Sequence, residues 1–271
     1  MTKSEKTLSY WRRHKPSKAH DITVLRPPTL PVRKRFETAE DAAAESARSE
    51  VVLKAGGAPR YLIEYLAECR AGDYVCEKTF CPSCARRFRR WFIGEVLRVS
   101  DGQAAQIITV LLARSPNIND LDPAPFRHSL RKRLDRAGLA EAVVIGGFEI
   151  VWRAADKNWV LHVNLLILGA SRSAIARFEG SFGSSYFARP TKKAPLNDPP
   201  VQLSYLLKFS TYHRPLQQIG PRRSPAKPLN AKEHVALVRW MDQRSFSDML
   251  FLYGVRRRGD RLILPPPRGQ G

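Results

Sequence analysis

All four cysteines of the chain lie within one short segment, CRAGDYVCEKTFCPSC. Four thiolates can complete the tetrahedral shell of a zinc ion, and the last two have the CxxC spacing typical of a zinc knuckle. Because four protein ligands leave no position open for water, such a zinc ion would be structural rather than catalytic. The alternative is a cluster of free or buried thiols, an arrangement that is seldom so concentrated. The predicted zinc ligands are Cys69, Cys76, Cys81 and Cys84.

The segment ARRFRRWF directly follows the last of these cysteines and predicts a helix. Its arginines are interleaved with aromatic side chains, a pattern in which cations contact phosphates while rings stack on bases. The alternative is a charged helix face that is simply solvated. We interpret four residues of this segment as nucleic-acid-binding: Arg86, Arg87, Arg89 and Arg90.

Two polar residues interrupt an otherwise apolar segment, NWVLHVNLLILG, in which His162 and Asn164 alternate with apolar side chains. This segment and the preceding GGFEIVWRA flank a turn-like ADKN, a pattern that predicts a β-hairpin. A two-residue loop at 156–157 would put Glu149 opposite Asn164 and Val151 opposite His162. All of these side chains would then lie on one face of the sheet.

The hairpin would therefore bring three metal-capable groups together. A carboxylate, an imidazole and an amide oxygen form an oxygen-rich set that suits Mg²⁺ or Mn²⁺. We predict Glu149, His162 and Asn164 as ligands of a catalytic divalent ion. The alternative is a core histidine that is hydrogen-bonded to a buried amide and a buried carboxylate.

A second chemical motif is YLLKF, in which Tyr205 and Lys208 would share one face of a helix at i and i+3. A tyrosine hydroxyl can attack a phosphodiester where neighbouring cations stabilise the developing charge. We predict both as catalytic residues. Tyr212 is a second candidate on the same predicted helix, which would end before Pro215. The alternative is an amphipathic helix that carries YxxK by chance, with Tyr205 packed in the core.

The chain is strongly basic, with 46 Lys and Arg against 25 Asp and Glu and a formal net charge of +21. Such a surplus repels itself in a folded chain and indicates a polyanionic partner. Nucleic acid is the first candidate, and an anionic membrane or a ribosomal site is the alternative. No apolar run reaches transmembrane length, and the N-terminal segment lacks the apolar stretch of a signal peptide. We therefore expect a cytoplasmic protein with no membrane partner.

In their order along the chain, these segments resemble the rolling-circle replication initiators of small plasmids, within the HUH endonuclease class. The class is named for the motif His–hydrophobic–His. The resemblance spans residues 69–213 and rests on three stretches: CEKTFCPSCARRFRRW, FEIVWRAADKNWVLHVNLLIL and YLLKF. The first histidine of the motif matches His162, and YLLKF is similar to the nucleophile helix.

The resemblance implies a mechanism. His162 and its partners would hold a divalent cation on the scissile phosphate of DNA, in a single strand or a hairpin origin. Tyr205 would attack, leaving a 5′-phosphotyrosine link and a free 3′-hydroxyl that primes synthesis. Lys208 would stabilise charge or orient the phosphate.

This chain departs from the family pattern at two positions. The second histidine of the motif is Asn164, and some viral relatives carry a glutamine there, so an amide oxygen can serve as a weaker ligand. In many plasmid relatives the nucleophile directly follows the lysine, where this chain has Phe209. Relatives with a tyrosine three residues before the lysine match Tyr205.

Interleaved strands and helices predict an α+β fold with a mainly antiparallel sheet, and a small α/β domain is the alternative. With the resemblance, the chain divides into four parts. Residues 1–56 would form a basic, largely disordered arm, in which AEDAAAESARSEVVLKAGG could be a short helix ended by Gly56 and Gly57. Residues 57–100 would hold a helix, the zinc knuckle and the arginine-rich helix. Residues 101–255 would form the Rep-like nuclease domain, and 256–271 a basic disordered tail. The sequence does not indicate an oligomeric state.

Three functions remain open at this point. The first is a metal-dependent, DNA-nicking replication initiator or transposase-like nuclease. The second is a catalytically inactive, Rep-derived nucleic-acid-binding protein with the same fold and zinc knuckle. The third is a basic ribosome-associated protein with structural zinc. The predicted convergence of Glu149, His162 and Asn164 distinguishes the first from the other two.

Overall fold

A computed structural model describes the chain at residues 38–100, 103–183, 190–208 and 227–265, and the backbone of 212–213, 218–219 and 222–223. The helices in these residues are α1 Ala39–Ala55, α2 Arg60–Ala71, α3 Pro82–Val99, α4 Pro123–Arg136, α5 Arg172–Gly180, α6 Pro199–Ser204 and α7 Ala231–Asp242. Two 3₁₀ turns accompany them, Ile118–Asp120 and Tyr205–Leu207. The strands are β1 Ala105–Ser115, β2 Val143–Arg153, β3 Asn158–Leu168, β4 Thr191–Pro195, β5 Tyr212–His213, β6 Gln218–Ile219, β7 Arg222–Arg223, β8 Lys227–Pro228, β9 Leu250–Tyr253, β10 Arg256–Arg258 and β11 Arg261–Ile263.

Five strands form one antiparallel sheet in the order β4-β1-β3-β2-β9. The central strand is β3, which pairs with β1 on one side and with β2 on the other. Its side chains are apolar almost throughout, and most of them are buried, because helices and turns cover both faces of the sheet. The fold is therefore α+β with an antiparallel sheet, which confirms the predicted class.

The hairpin of β2 and β3 is present, but its predicted register is wrong. Arg153 pairs with Asn158 across a four-residue turn at 154–157, so Glu149 lies opposite His162. The left-handed backbone of Lys157, with φ of 49°, closes this longer turn. The observed pairing differs from the predicted one by two positions along the partner strand. Because side chains alternate with a period of two, the polar residues still share one face. We call this side of the sheet the polar face.

A glycine lets the chain cover the polar face closely. Gly147 lies opposite Asn164 in the ladder. A Cβ atom at Gly147 would come within 2.3 Å of the carbonyl oxygen of Leu206 and 2.4 Å of the Leu207 side chain. The 3₁₀ turn Tyr205–Leu207 can therefore pack on β2 and β3 only because position 147 has no side chain.

The segment that contains YLLKF is less helical than predicted. α6 ends at Ser204, and the chain continues as the 3₁₀ turn and then leaves the helical path. Tyr212 lies in the short strand β5, so it does not share a helix with Tyr205, and that prediction is wrong. Phe209 lies outside the described residues.

The N-terminal helices belong to the same core as the sheet. The ring of Phe88 in α3 stacks on Phe246 with centroids 4.5 Å apart, and the indole N–H of Trp240 in α7 donates to the carbonyl of Leu121 at 2.8 Å. These contacts join α3 and α7 to the loops around the sheet. No helix in the described part of the chain is long and apolar enough to cross a membrane.

The structure differs from the predicted division of the chain at its N-terminal side. Residues 39–55 form α1 and Gly56 caps it, as the possible short helix in this part of the arm predicts, so the arm is ordered here. A capping box between Thr38 and Asp41 begins this helix, since each side chain accepts the backbone N–H of the other residue. Leu53 is fully buried against the core. The part of the predicted arm before residue 38 lies outside the described residues.

The predicted disordered tail is also partly ordered. β10 and β11 form a hairpin whose first strand begins at Arg256. The backbone N–H of Leu262 donates to the Glu95 carboxylate at 2.8 Å, and the guanidinium of Arg257 lies over the ring of Trp91. Polar and cation–π contacts to α3 therefore hold this hairpin, an attachment that no local sequence pattern indicates. The tail beyond residue 265 lies outside the described residues.

Candidate functional site

The four cysteines come together between α2 and α3. Cys69 lies in the last turn of α2, Cys76 in the following loop, Cys81 at the N-cap of α3 and Cys84 in its first turn. Pro82 occupies the first turn of α3, where its missing N–H costs no hydrogen bond. The CxxC spacing thus places the sulfurs of Cys81 and Cys84 at the N-terminus of α3, facing the sulfurs of Cys69 and Cys76 from α2 and its loop.

The sulfur geometry fits a tetrahedral metal. The four Sγ atoms lie within 4.8 Å of one another, with Cys69 to Cys84 at 3.5 Å and Cys76 to Cys84 at 3.6 Å. These separations exclude disulfides, and the cysteines are free thiols. An ideal tetrahedron with zinc–sulfur bonds of about 2.3 Å separates the sulfurs by about 3.8 Å. The buried four-cysteine group could therefore hold a metal ion such as zinc.

Protonation of this cluster is controlled by burial and by the neighbouring sulfurs. Burial raises the pKa of Cys76 well above its ordinary value, and hydrogen bonding to Cys69 raises the pKa of Cys84. The pKa of Cys69 falls instead, because the other three thiols hydrogen-bond to its sulfur. Without a cation, the cluster thus favours the thiolate at Cys69 and the protonated thiols at Cys76 and Cys84. A bound divalent cation supplies the charge that the remaining thiolates need.

The predicted polar residues of the hairpin also meet. His162 Nε2 lies 2.9 Å from Glu149 Oε2, with the two side chains only 12% and 10% exposed. The amide nitrogen of Asn164 donates to the same carboxylate oxygen at 3.4 Å. A carboxylate, an imidazole and an amide therefore converge on the polar face, on neighbouring positions of two adjacent strands.

Asn164 is more fully engaged than the sequence suggests. Its amide oxygen accepts a hydrogen bond from the Thr109 hydroxyl at 2.8 Å, and its nitrogen also reaches the backbone carbonyl of Tyr205 at 3.4 Å. The amide that was predicted as a metal ligand therefore has a protein partner at both ends. It also ties the polar face to the turn that carries Tyr205.

Tyr205 and Lys208 are neighbours, as their spacing predicts, although a 3₁₀ turn rather than a helix carries them. Lys208 Nζ lies 5.6 Å from the centroid of the Tyr205 ring, and the Tyr205 side chain is 50% exposed. The reading that packs Tyr205 in the core is therefore wrong. Leu206 and Leu207 are buried instead and anchor the turn.

Sequence reasoning did not single out Lys192. Lys192 lies in the edge strand β4 directly opposite Thr109, and it is exposed. Paired residues share a face, so this cation stands on the polar face beside the Thr109–Asn164 hydrogen bond. The pairing joins distant parts of the chain, and β4 has only five residues, so no local pattern indicates it.

The arginines after the zinc knuckle do not form an open surface. All four lie on α3, which packs against α1 and α6, and all four are half-buried: Arg86, Arg87, Arg89 and Arg90. Burial lowers the pKa of Arg89 to about 10. Burial and the neighbouring charge of Arg90 also lower the pKa of Arg86. Their guanidinium groups are therefore less accessible to phosphates than those of arginines on a solvated helix face.

Comparison with known proteins identifies no relative, since no family model, no curated protein and no solved structure matches this chain. The candidate site therefore rests on its own geometry. That geometry has two separate parts in the described residues, the four-cysteine group and the polar face with Tyr205 beside it.

Proposed function

We propose that this protein is a metal-dependent nickase that binds single-stranded DNA and acts as a rolling-circle type replication initiator. The observation that carries the proposal is the nearly buried contact between Glu149 and His162, joined through Asn164 to the turn of the half-exposed Tyr205. A titratable pair beside an accessible nucleophile is the arrangement that phosphodiester cleavage by tyrosine requires.

The donor groups are compatible with Mg²⁺ or Mn²⁺. Glu149 and His162 would be the protein ligands, and such ions usually keep several waters. Asn164 would join them only if its amide rotated, which would turn its oxygen towards the carboxylate and its nitrogen towards Thr109. The Thr109 hydroxyl can accept as well as donate, so it can serve either orientation. The cation would polarise the scissile phosphate.

The cleavage step would then use the side chains of this chain in distinct roles. The Tyr205 oxygen would displace the 3′ oxygen of the scissile phosphodiester and form the phosphotyrosine bond to the 5′ side. The departing 3′ oxygen would take up a proton in place of the one that the tyrosine loses. Lys208 and Lys192 would balance the phosphate charge, since both cations stand beside the polar face or its covering turn.

The second candidate is a non-catalytic nucleic-acid-binding protein with the same fold. One observation favours it: the hydrogen bond from Thr109 already satisfies the amide oxygen of Asn164. In that case the Glu149–His162–Asn164 group is a buried polar network that positions the turn. Its members satisfy one another, as buried polar groups must.

Cleavage of single-stranded oligonucleotides in Mn²⁺, followed on denaturing gels, tests the proposal. The wild type should form a covalent protein–DNA adduct. Tyr205→Phe should abolish the adduct without changing Mn²⁺ affinity, because the lost hydroxyl is the nucleophile and not a ligand. His162→Ala should abolish cleavage and leave DNA binding close to that of the wild type.

The matched control is Tyr253→Phe, which removes another hydroxyl at the far edge of the sheet, where it contacts Asp135. This variant should form the adduct as the wild type does. A wild type that forms no adduct on any single strand, while His162→Ala only lowers the melting temperature, would leave the non-catalytic candidate.

A further inference from the structure

A cleft of about 630 Å³ lies at the turn end of the hairpin, away from the polar face. Its walls come from three parts of the chain, which are the end of β2 and β3, the 116–119 segment after β1, and one side of α7. No step of the proposed cleavage uses it. Its volume is within the range of clefts that hold small organic ligands.

Two tryptophans form one wall of this cleft. Trp152 and Trp159 are directly paired in the ladder, with ring centroids 5.0 Å apart. Glu149 points to the polar face, so Trp152, three residues further along β2, points to the opposite face. Trp159 is buried at 4% exposure, whereas Trp152 is half-buried and keeps part of its ring accessible. A rigid buried indole thus supports a second indole that lines an open cleft.

The facing wall is one side of α7 and carries positive charge. Three of its residues and its C-cap line the cleft at a spacing that places them on one side of the helix: Lys232, Ala236, Arg239 and the C-cap Gln243. Lys232 and Arg239 are both exposed. The carboxylate on this wall, Glu233, accepts the backbone N–H of Asn230 in the helix cap. Two cations thus remain at the mouth of an aromatic cleft.

We propose that this cleft binds a nucleobase, with the base stacked on Trp152 and its phosphate held between Lys232 and Arg239. Base stacking on aromatic rings combined with backbone contacts to cations is the general mode of single-strand recognition. The charge of the lining residues and the net charge of +21 both favour an anionic ligand. The exposed side chain of Asn119 at the cleft offers an amide to the edge of the base.

This inference rests on the proposed binding of single strands but not on the nicking chemistry. It places a base-binding cleft and the Glu149–His162 pair on opposite faces of the sheet. A single strand that occupied both would have to pass around the sheet, so the cleft would hold a flanking nucleotide rather than the scissile one. Stacking on Trp152 and contacts to the two cations would also bind a free mononucleotide. The experiment distinguishes a nucleotide of a single strand from a free mononucleotide.

The experiment measures binding of the full chain to oligothymidylate by fluorescence anisotropy and to thymidine monophosphate by isothermal titration. Trp152→Ala should weaken oligonucleotide binding about tenfold, and Trp152→Phe should restore most of it because a ring remains to stack. The double variant Lys232→Gln/Arg239→Gln should weaken binding more than Lys132→Gln/Arg136→Gln. That control removes the same two charge types from exposed positions of α4 that do not line the cleft.

The outcomes are distinct. If the cleft variants lower the affinity for the oligonucleotide and the α4 control does not, the cleft binds a nucleotide of a single strand. If the cleft variants leave the affinity for the oligonucleotide unchanged, the inference is overturned and the proposed function stands. Binding of the mononucleotide alone, lost in Trp152→Ala, supports the cleft as a nucleotide site and counts against the proposed function. A wild type that binds neither probe overturns both.

Discussion

At Asn164, two demands compete for one amide oxygen. The Thr109 hydroxyl donates to this oxygen in the structure, whereas a divalent cation held by Glu149 and His162 would take it as a further ligand if the amide rotated. Loss of the donor to a buried amide oxygen costs about 1–3 kcal/mol, so the Thr109 hydrogen bond competes with metal ligation. The two candidate functions therefore differ at Asn164. In the non-catalytic protein Thr109 holds the amide oxygen, whereas in the nickase a cation can take it.

Substitution of Thr109 by valine tests this competition. Thr109→Val should lower the free energy of unfolding by about 1–2 kcal/mol in the absence of Mn²⁺, because the amide oxygen loses its donor. If the nickase proposal holds, Mn²⁺ should stabilise this variant more than the wild type, since the oxygen is then free to ligate. Urea unfolding with and without Mn²⁺ measures both quantities. Thr109→Ser keeps the hydroxyl and should behave as the wild type, and equal Mn²⁺ effects in all three proteins would contradict the prediction.

At the scale of elements, one buried contact joins the N-terminal helix to a helix late in the chain. Ser49 Oγ of α1 lies 2.7 Å from His234 Nε2 of α7, and both side chains are buried. Among the described residues, His234 Nδ1 has no hydrogen-bond partner. Burial, together with the nearby positive charge of Arg48 and against the opposing charge of Glu45, lowers the pKa of His234 to about 4. The contact between α1 and α7 therefore depends on a neutral imidazole.

This contact should make stability depend on pH in the acid range. The unfolded chain takes up the proton near pH 6.5, whereas the folded chain takes it up only near pH 4, so the unfolded state binds more protons between these values. Stability should be full above pH 6.5 and should fall by on the order of 3 kcal/mol as the pH drops to about 4.

Urea unfolding of the wild type and of His234→Gln between pH 7.5 and about 4.5 measures the contribution of this histidine. Glutamine does not titrate, so the variant should lose less stability than the wild type over that interval. The difference between the two proteins isolates His234 from the carboxylates that titrate in both. Parallel curves for the two proteins would mean that His234 protonates as readily in the folded chain as in the unfolded one.

At the scale of the whole molecule, the four-cysteine group lies where the N-terminal helices meet the common core. Three of its four sulfurs are buried, and Phe88, one turn after Cys84 on α3, stacks on Phe246 next to the sheet. A metal at this point would fix the end of α2 to the start of α3, because each helix supplies sulfur ligands. Loss of the metal should therefore lower the stability of the whole fold and not only that of the knuckle.

Elemental analysis of the purified chain should give one zinc ion. Cys84→Ser should lose the metal and lower the melting temperature, because a hydroxyl is a poor ligand for zinc and three sulfurs do not complete the shell. Ser83→Ala changes the neighbouring residue without touching a ligand and should keep both metal and stability. The control compares the melting temperature of the wild type with zinc and after a chelator has removed the metal. Equal melting temperatures would contradict a structural role for the metal.

The features that the sequence by itself determined are local. Cysteine spacing predicted the buried cluster, because CxxC at the start of a helix fixes two sulfurs within a few residues. Period-two alternation predicted the strands of the hairpin and the shared face of Glu149, His162 and Asn164. The predicted register was wrong by two positions, yet the face was right, because a period of two tolerates an even shift.

Only the tertiary structure decided the features that join distant segments. Pairing of β4 with β1 brings Lys192 to the polar face, and packing of the 205–207 turn against Gly147 leaves Tyr205 half-exposed beside Asn164. The cleft at Trp152 likewise exists because α7 lies across from the end of the hairpin. Such contacts form when apolar surfaces far apart in the chain are buried together, and that burial leaves no periodic signal in either segment alone.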